Sequence, residues 1–219
     1  MGFHGVVFDM DGVIVDSEHL WEESWVASSA RRGVTWTAGD TSTVQGMSAP
    51  EWARYLADRL GDSALAPVVR DECVNHVVTS VQGGQAPLLD GARELVAKVA
   101  DLVPIALASS AARPVIDAVL EGNDLADRFA ATVSSEDVER GKPSPDVYAE
   151  AARRINVDPA RGIAVEDSGN GIRAARAAGF HVVAIPNRSY PPSADALALA
   201  GHVAADHHDA LDHILTLLT

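Results

Sequence analysis

Gly5-Val6-Val7-Phe8 is a short, uninterrupted apolar run, the pattern of a strand buried on both faces. From Ser17 to about Arg32 apolar and polar residues alternate with helical spacing, and Gly33 stops the run. Ser48-Ala49-Pro50-Glu51 has the form of a capping box, with proline tolerated in the first turn, and predicts a helix ending near Gly61. A further helical stretch is expected from about Ala64 to Val81. Gly83-Gly84-Gln85-Ala86-Pro87 then reads as a flexible exit.

From Asp90 onward short apolar runs alternate with helical ones. The strands expected are Ile105–Ala108, Ala131–Val133, Ile163–Val165, His181–Ile185 and His202–Ala204. The helices expected between and after them are Ala92–Ala100, Arg113–Glu121, Pro145–Ile155, Gly171–Ala178 and Ala210–Leu218. Such alternation predicts a parallel sheet covered on both faces. The first strand must join that sheet, because a lone strand is not stable. The expected fold class is therefore α/β, with a Rossmann-like parallel-sheet core formed by residues 1–16 and 87–219. A helical unit, residues 17–86, is inserted after the first strand. Trp21, Trp25, Trp36 and Trp52 all fall in the insert and give it an aromatic core of its own.

Composition narrows the functional classes. The chain has 219 residues, 47% of them hydrophobic, enough for one large domain or a core with a smaller insert. No apolar stretch is long enough to span a membrane, and the N-terminus lacks the charged and apolar segments of an export signal. Cys73 is the single cysteine, so it forms no internal disulfide and suits a reducing cytoplasm, the expected location. A formal net charge of −14 argues against nucleic acid and anionic membranes as partners. A protein this acidic needs local positive charge to handle an anionic substrate. A divalent cation, helix N-termini and a few placed basic residues are the sources available. Only two lysines are present, Lys98 and Lys142. No apolar stripe marks an interface, and the chain is read as a monomer.

The candidate chemistry lies where strands end. Asp9 and Asp11 follow the first strand, at the end where ligands sit in open α/β sheets. Alone, Asp-x-Asp reads equally well as a turn or a calcium loop. Ile105–Ala108 runs into Ser109 and Ser110, a hydroxyl beside the backbone N–H groups of the next helix; this suits a phosphate oxygen, or a plain helix cap. Gly141-Lys142-Pro143-Ser144-Pro145-Asp146 fixes a lysine in a rigid turn, with Ser144 expected to cap the helix that follows. That lysine can hold a phosphate or stand as a solvated loop residue. Val165-Glu166-Asp167-Ser168 ends another strand; it reads as a hard-cation site or as a capped strand–helix turn. Asp9, Asp11, Glu166 and Asp167 brought together without a counter-charge would repel strongly, and a metal ion is the economical explanation.

These four segments, in this order, resemble the haloacid dehalogenase superfamily over the whole chain. The opening Phe-Asp-Met-Asp-Gly-Val-Ile-Val-Asp-Ser-Glu and the helical insert resemble its subgroup of β-phosphoglucomutase and small sugar-phosphate phosphatases. Glu18-His19-Leu20-Trp21 looks most like the hexose-phosphate phosphatase branch. The resemblance implies a core with a helical cap and a Mg²⁺-dependent hydrolysis of a small phosphorylated metabolite, a sugar or polyol phosphate. It implies Asp9 as the nucleophile that becomes an aspartyl phosphate and Asp11 as the general acid and base. Mg²⁺ would be held by Asp9, the backbone carbonyl of Asp11 and Asp167, with Glu166 ordering a bound water. Ser109, Ser110 and Lys142 would bind the phosphoryl oxygens. In the cap, Gly46, Met47 and His19 are the residues expected to face the leaving group, with Trp21 packing at the hinge.

The departures from the pattern bear on the alternatives. Asp11 argues against a true dehalogenase, which lacks that carboxylate. No lysine lies between Ser17 and Ala86, which removes a Schiff-base phosphonatase. A β-phosphoglucomutase-like phosphomutase needs a cation for a second phosphate. Ala49 stands where the mutase pattern has an arginine, although Arg54 or Arg59 is close enough in sequence to compensate. A non-catalytic binding protein on the same fold would have lost Asp9, Asp11, Lys142 or Asp167, and all four are present.

Overall fold

The computed structural model describes residues 2–219. Six parallel strands form one sheet: β1 (Gly5–Phe8), β2 (Ile105–Ser109), β3 (Ala131–Ser134), β4 (Gly162–Glu166), β5 (His181–Ala184) and β6 (His202–Val203). Their spatial order is β3-β2-β1-β4-β5-β6. This is the doubly wound order whose reversal point lies beside the first strand. The strands β1, β2 and β4 are buried along their whole length, which explains their unbroken apolar sequences. Phe8 pairs with Leu107 on one side and Val165 on the other. Asp9, one residue on, therefore stands at the sheet's C-terminal edge between the ends of β2 and β4.

Residues 17–86 carry the helices α1 (Glu18–Ala30), α2 (Ala38–Val44), α3 (Ala49–Arg59) and α4 (Ala66–Gln82). They gather the four tryptophans into one cluster, with ring centroids 5.8–6.2 Å apart. The remaining helices are α5 (Ala92–Ala100), α6 (Arg113–Gly122), α7 (Asp146–Arg154), α8 (Gly169–Ala178), α9 (Ala194–Leu197) and α10 (His207–Leu218). No helix among the described residues is long and apolar enough to cross a membrane.

The short α9 has no counterpart in the sequence expectation, and α8 begins two residues before the expected Gly171; three further differences have a local cause. The α2 helix is not announced by apolar spacing; it is held by a capping box in which Asp40 N–H donates to Thr37 Oγ1 at 3.2 Å and Thr37 N–H donates to Asp40 Oδ2 at 2.9 Å. The α10 helix starts three residues before the expected Ala210, because Asp206 caps the N–H groups of His208 and Asp209, each at 2.9 Å. Ser144 does not cap α7. Its N–H closes a turn onto Gly141 O at 2.9 Å, its hydroxyl donates to Asp146 Oδ1, and the helix begins at Asp146 with Pro145 at its boundary.

Candidate active site

The end of β1, the turn before α7 and the end of β4 converge on one buried ionic group. Lys142 Nζ lies 2.8 Å from Asp9 Oδ1 and 2.7 Å from Glu166 Oε1. All three side chains are buried. Asp9 is fixed from the backbone as well, its N–H donating to Val165 O at 3.0 Å. Asp167 completes the set: one carboxylate oxygen from each of Asp9, Glu166 and Asp167 falls within 4.8 Å of the others. Gly12 makes room for it. Its φ is +75°, and a Cβ there would strike the Asp167 carboxylate, so this turn takes only glycine.

Glu166 is unusually well held. Its Oε1 accepts from Lys142 Nζ and from Tyr148 Oη, both at 2.7 Å. Its Oε2 accepts from the N–H of Asp167 and of Ser168, each at 3.1 Å, and from Ser168 Oγ at 3.0 Å. Gly171 at the start of α8 is required by the same packing, because a Cβ there would overlap the Glu166 carboxyl. Five donors occupy both oxygens, so Glu166 acts in this arrangement as the buried counter-charge that fixes Lys142.

The electrostatics follow from burial. Desolvation, followed by the Glu166 charge, pushes Asp9 up to about 8, against the downward pull of Lys142. Desolvation and the Glu166 and Asp9 charges likewise raise Asp167. Desolvation pulls Lys142 down, but Asp9 and Glu166 overcome it and hold the ammonium above its ordinary value. One buried lysine thus faces three buried carboxylates. The donor set is all oxygen and anionic, which fits a hard divalent cation.

Asp11 stands apart from this group. It is only half-buried, and its Oδ1 accepts from Ser17 Oγ and, at 3.3 Å, from Trp21 Nε1. Desolvation raises its carboxyl above the usual range, against both hydrogen bonds. Trp21 therefore does more than pack at the hinge: its indole orients Asp11.

Asp9, Asp11, Lys142 and Asp167 open onto a cavity roofed by α1, α2, α3 and the loop joining α2 to α3. The roof is mostly apolar, with Trp21, Trp52, Val44 and Met47 among its walls. Ser110 lines it, and its hydroxyl donates to Gly46 O at 3.3 Å. Ser109 is wholly buried beneath; its Oγ accepts from Ala111 N–H at 3.0 Å, so it shapes the turn into α6. Gly46 and Met47 line the cavity. His19 does not line it: the side chain is exposed and its Nδ1 lies 3.7 Å from Asp16 Oδ1. The neighbouring Glu18 turns inward instead. Among the described residues, Lys142 is the only basic one in the cavity wall. Arg54 is exposed and bonds Pro50 O, and Arg59 pairs with Asp40 at 2.9 Å, so neither reaches the cavity. Sequence reasoning also missed Tyr148, Asn187 and Tyr190. Asn187 Nδ2 donates to Asp167 Oδ2 at 2.9 Å, and Tyr190 lines the cavity.

A family model described as haloacid dehalogenase-like hydrolase matches residues 3–179. Hexitol phosphatase B of Escherichia coli K12 is 33% identical over 189 residues, covering 82% of each chain. Validoxylamine A 7'-phosphate phosphatase of Streptomyces hygroscopicus subsp. limoneus is 29% identical over 204 residues, covering 91% of this chain and 92% of its own. Among solved structures, a hydrolase from Pseudomonas syringae superposes with a TM-score of 0.83 at 22% identity, covering 99% of this chain and 100% of that one. At that identity the likeness is one of fold.

Proposed function

The chain belongs to the haloacid dehalogenase-like hydrolases, and from that membership we propose that it is a Mg²⁺-dependent phosphatase of a small sugar or polyol monophosphate. The observation that carries this reading is the buried group of Asp9, Lys142, Glu166 and Asp167 at the sheet's reversal point, with Asp11 beside it. The names of the two phosphatase relatives support the substrate class.

In this reading Asp9 attacks phosphorus through a carboxylate oxygen and becomes an aspartyl phosphate. Asp11, whose raised pKa suits a proton donor, gives its proton to the departing alcohol oxygen. The same group then takes a proton from the water that cleaves the acyl phosphate. Lys142 holds Asp9 in line and binds a phosphoryl oxygen. Glu166 keeps Lys142 charged and pointed at Asp9. The Ser110 hydroxyl, which lines the cavity, donates to another phosphoryl oxygen. Asp9, Asp167 and the backbone carbonyl of Asp11 would hold Mg²⁺, which when bound offsets the repulsion between an anionic nucleophile and a phosphate dianion. The helices over residues 17–86 serve as a cap that excludes water.

Among the described residues Lys142 is the only cation lining the cavity, and one cation for one phosphate favours hydrolysis of monophosphates over a phosphomutase working through a bisphosphate. Phosphate release from a panel of sugar, polyol and nucleotide monophosphates, with Mg²⁺ and with EDTA, tests the proposal. The expected result is metal-dependent release from sugar or polyol phosphates. Release only from other classes, or undiminished release in EDTA, would overturn it.

A further inference from the structure

Asn187 lies three residues beyond β5 and is satisfied at both ends of its amide. Its Oδ1 accepts from the N–H groups of Ser189 and Tyr190, at 2.9 and 3.0 Å. Its Nδ2 donates to Asp167 Oδ2 at 2.9 Å and to Glu18 Oε2 at 2.6 Å. The reversed amide would set an oxygen against two carboxylates, so this orientation is fixed. The other oxygen of Glu18 accepts from Gln45 Nε2 at 3.0 Å. Gln45 directly precedes Gly46 and Met47 in the cavity roof. An unbroken chain of hydrogen bonds, Gln45–Glu18–Asn187–Asp167, therefore joins the roof to a carboxylate of the buried acidic group.

We infer that Asn187 is a positioning residue that ties the seating of the Gln45–Met47 loop to the orientation of Asp167, so that roof closure and cation binding favour each other. The inference rests on the reading that Asp9 and Asp167 hold a divalent cation. A carboxylate oriented by an outer hydrogen bond binds metal better than a free one. Coupling of this kind is reciprocal, so loosening the roof at Gln45 must weaken cation binding although Gln45 touches no ligand.

Calorimetric titration of the full chain with MgCl₂, without substrate, tests this with a readout independent of turnover. Asn187→Ala is expected to weaken Mg²⁺ affinity by about 10-fold or more. Gln45→Ala, a half-buried loop substitution, is expected to weaken it roughly fivefold, the worth of one hydrogen bond. Thr43→Ala, an exposed change on α2 outside the chain of bonds, is expected to leave it unchanged. Should Asn187→Ala fail to fold by circular dichroism, Gln45→Ala carries the test alone. Gln45→Ala binding Mg²⁺ as the wild type does would overturn the inference and leave the metal reading standing. A wild type that binds no Mg²⁺ would overturn both.

Discussion

Replacing Lys142 by methionine would remove one positive charge and leave Asp9, Glu166 and Asp167 buried together with no counter-ion. The side chain is 2% exposed and lies 2.7–2.8 Å from two of those carboxylates, so little solvent reaches them to screen the loss. Removing one partner of a buried ion pair costs about 3–5 kcal/mol. For a chain of this length each kcal/mol corresponds to about 2–4 °C in melting temperature, so the metal-free protein should melt about 6–20 °C lower. Methionine is close to lysine in volume, so little of this loss comes from packing. Thermal unfolding in EDTA and in MgCl₂ separates the causes. The charge account requires Mg²⁺ to restore more stability to Lys142→Met than it adds to the wild type, because a cation relieves the same repulsion. Phosphate release should fall at least ~100-fold even with Mg²⁺, because a donor aimed at the phosphoryl group is lost. A variant that melts within about 1 °C of the wild type in EDTA would show that Lys142 does not offset the buried carboxylates.

Other consequences are independent of that substitution. In the metal-free folded state Asp9 holds its proton up to about 8, against 3.8 ordinarily. The folded form thus binds more protons than the unfolded one, and the contribution is full below about pH 4 and lost as the pH rises toward 8. Melting temperature in EDTA should fall between pH 5.5 and pH 8, and Mg²⁺ should flatten that slope; a rise with pH would contradict the assignment. Trp21→Phe keeps most of the ring packing but deletes the donor to Asp11, and should lower kcat about tenfold, ~1.4 kcal/mol, with little change in melting temperature. Gly171→Ala puts a methyl group into the Glu166 carboxyl and should cost about 2 kcal/mol or more by urea unfolding, where an exposed helical Gly→Ala change would stabilise.

The frame of the site is written in local sequence. Val6-Val7-Phe8, Ile105–Ala108 and Ile163–Val165 are apolar because β1, β2 and β4 are covered on both faces. The polar residues that end those runs mark the sheet edge. What local pattern cannot supply is register across the chain. The Asn187–Glu18 bond spans 169 positions, and neither residue sits in a periodic context that points to the other. Tyr148 looks like any aromatic on the apolar face of a helix; its hydroxyl becomes informative only once Glu166 is seen to lie against it. His19 and Glu18 show the limit on a helix. Neighbouring positions point about 100° apart, so an error of one residue exchanges the side chain that enters the cavity for one facing solvent. The α2 helix was legible after all, through Thr37-x-x-Asp40, the same capping logic that marked Ser48. Its Ala-Gly-Asp-Thr-Ser-Thr-Val sequence lacks the apolar spacing on which a helix is ordinarily recognised.

The proposed phosphatase activity depends above all on Asp9 as its nucleophile. Phosphate release by Asp9→Asn, on whichever monophosphate the wild type hydrolyses with Mg²⁺, tests it most directly, because asparagine keeps the shape and loses the attacking oxyanion. A loss of at least ~1,000-fold in kcat with a folded protein is expected, as befits removal of a nucleophile. An Asp9→Asn protein that still turns over within tenfold of the wild type would contradict it.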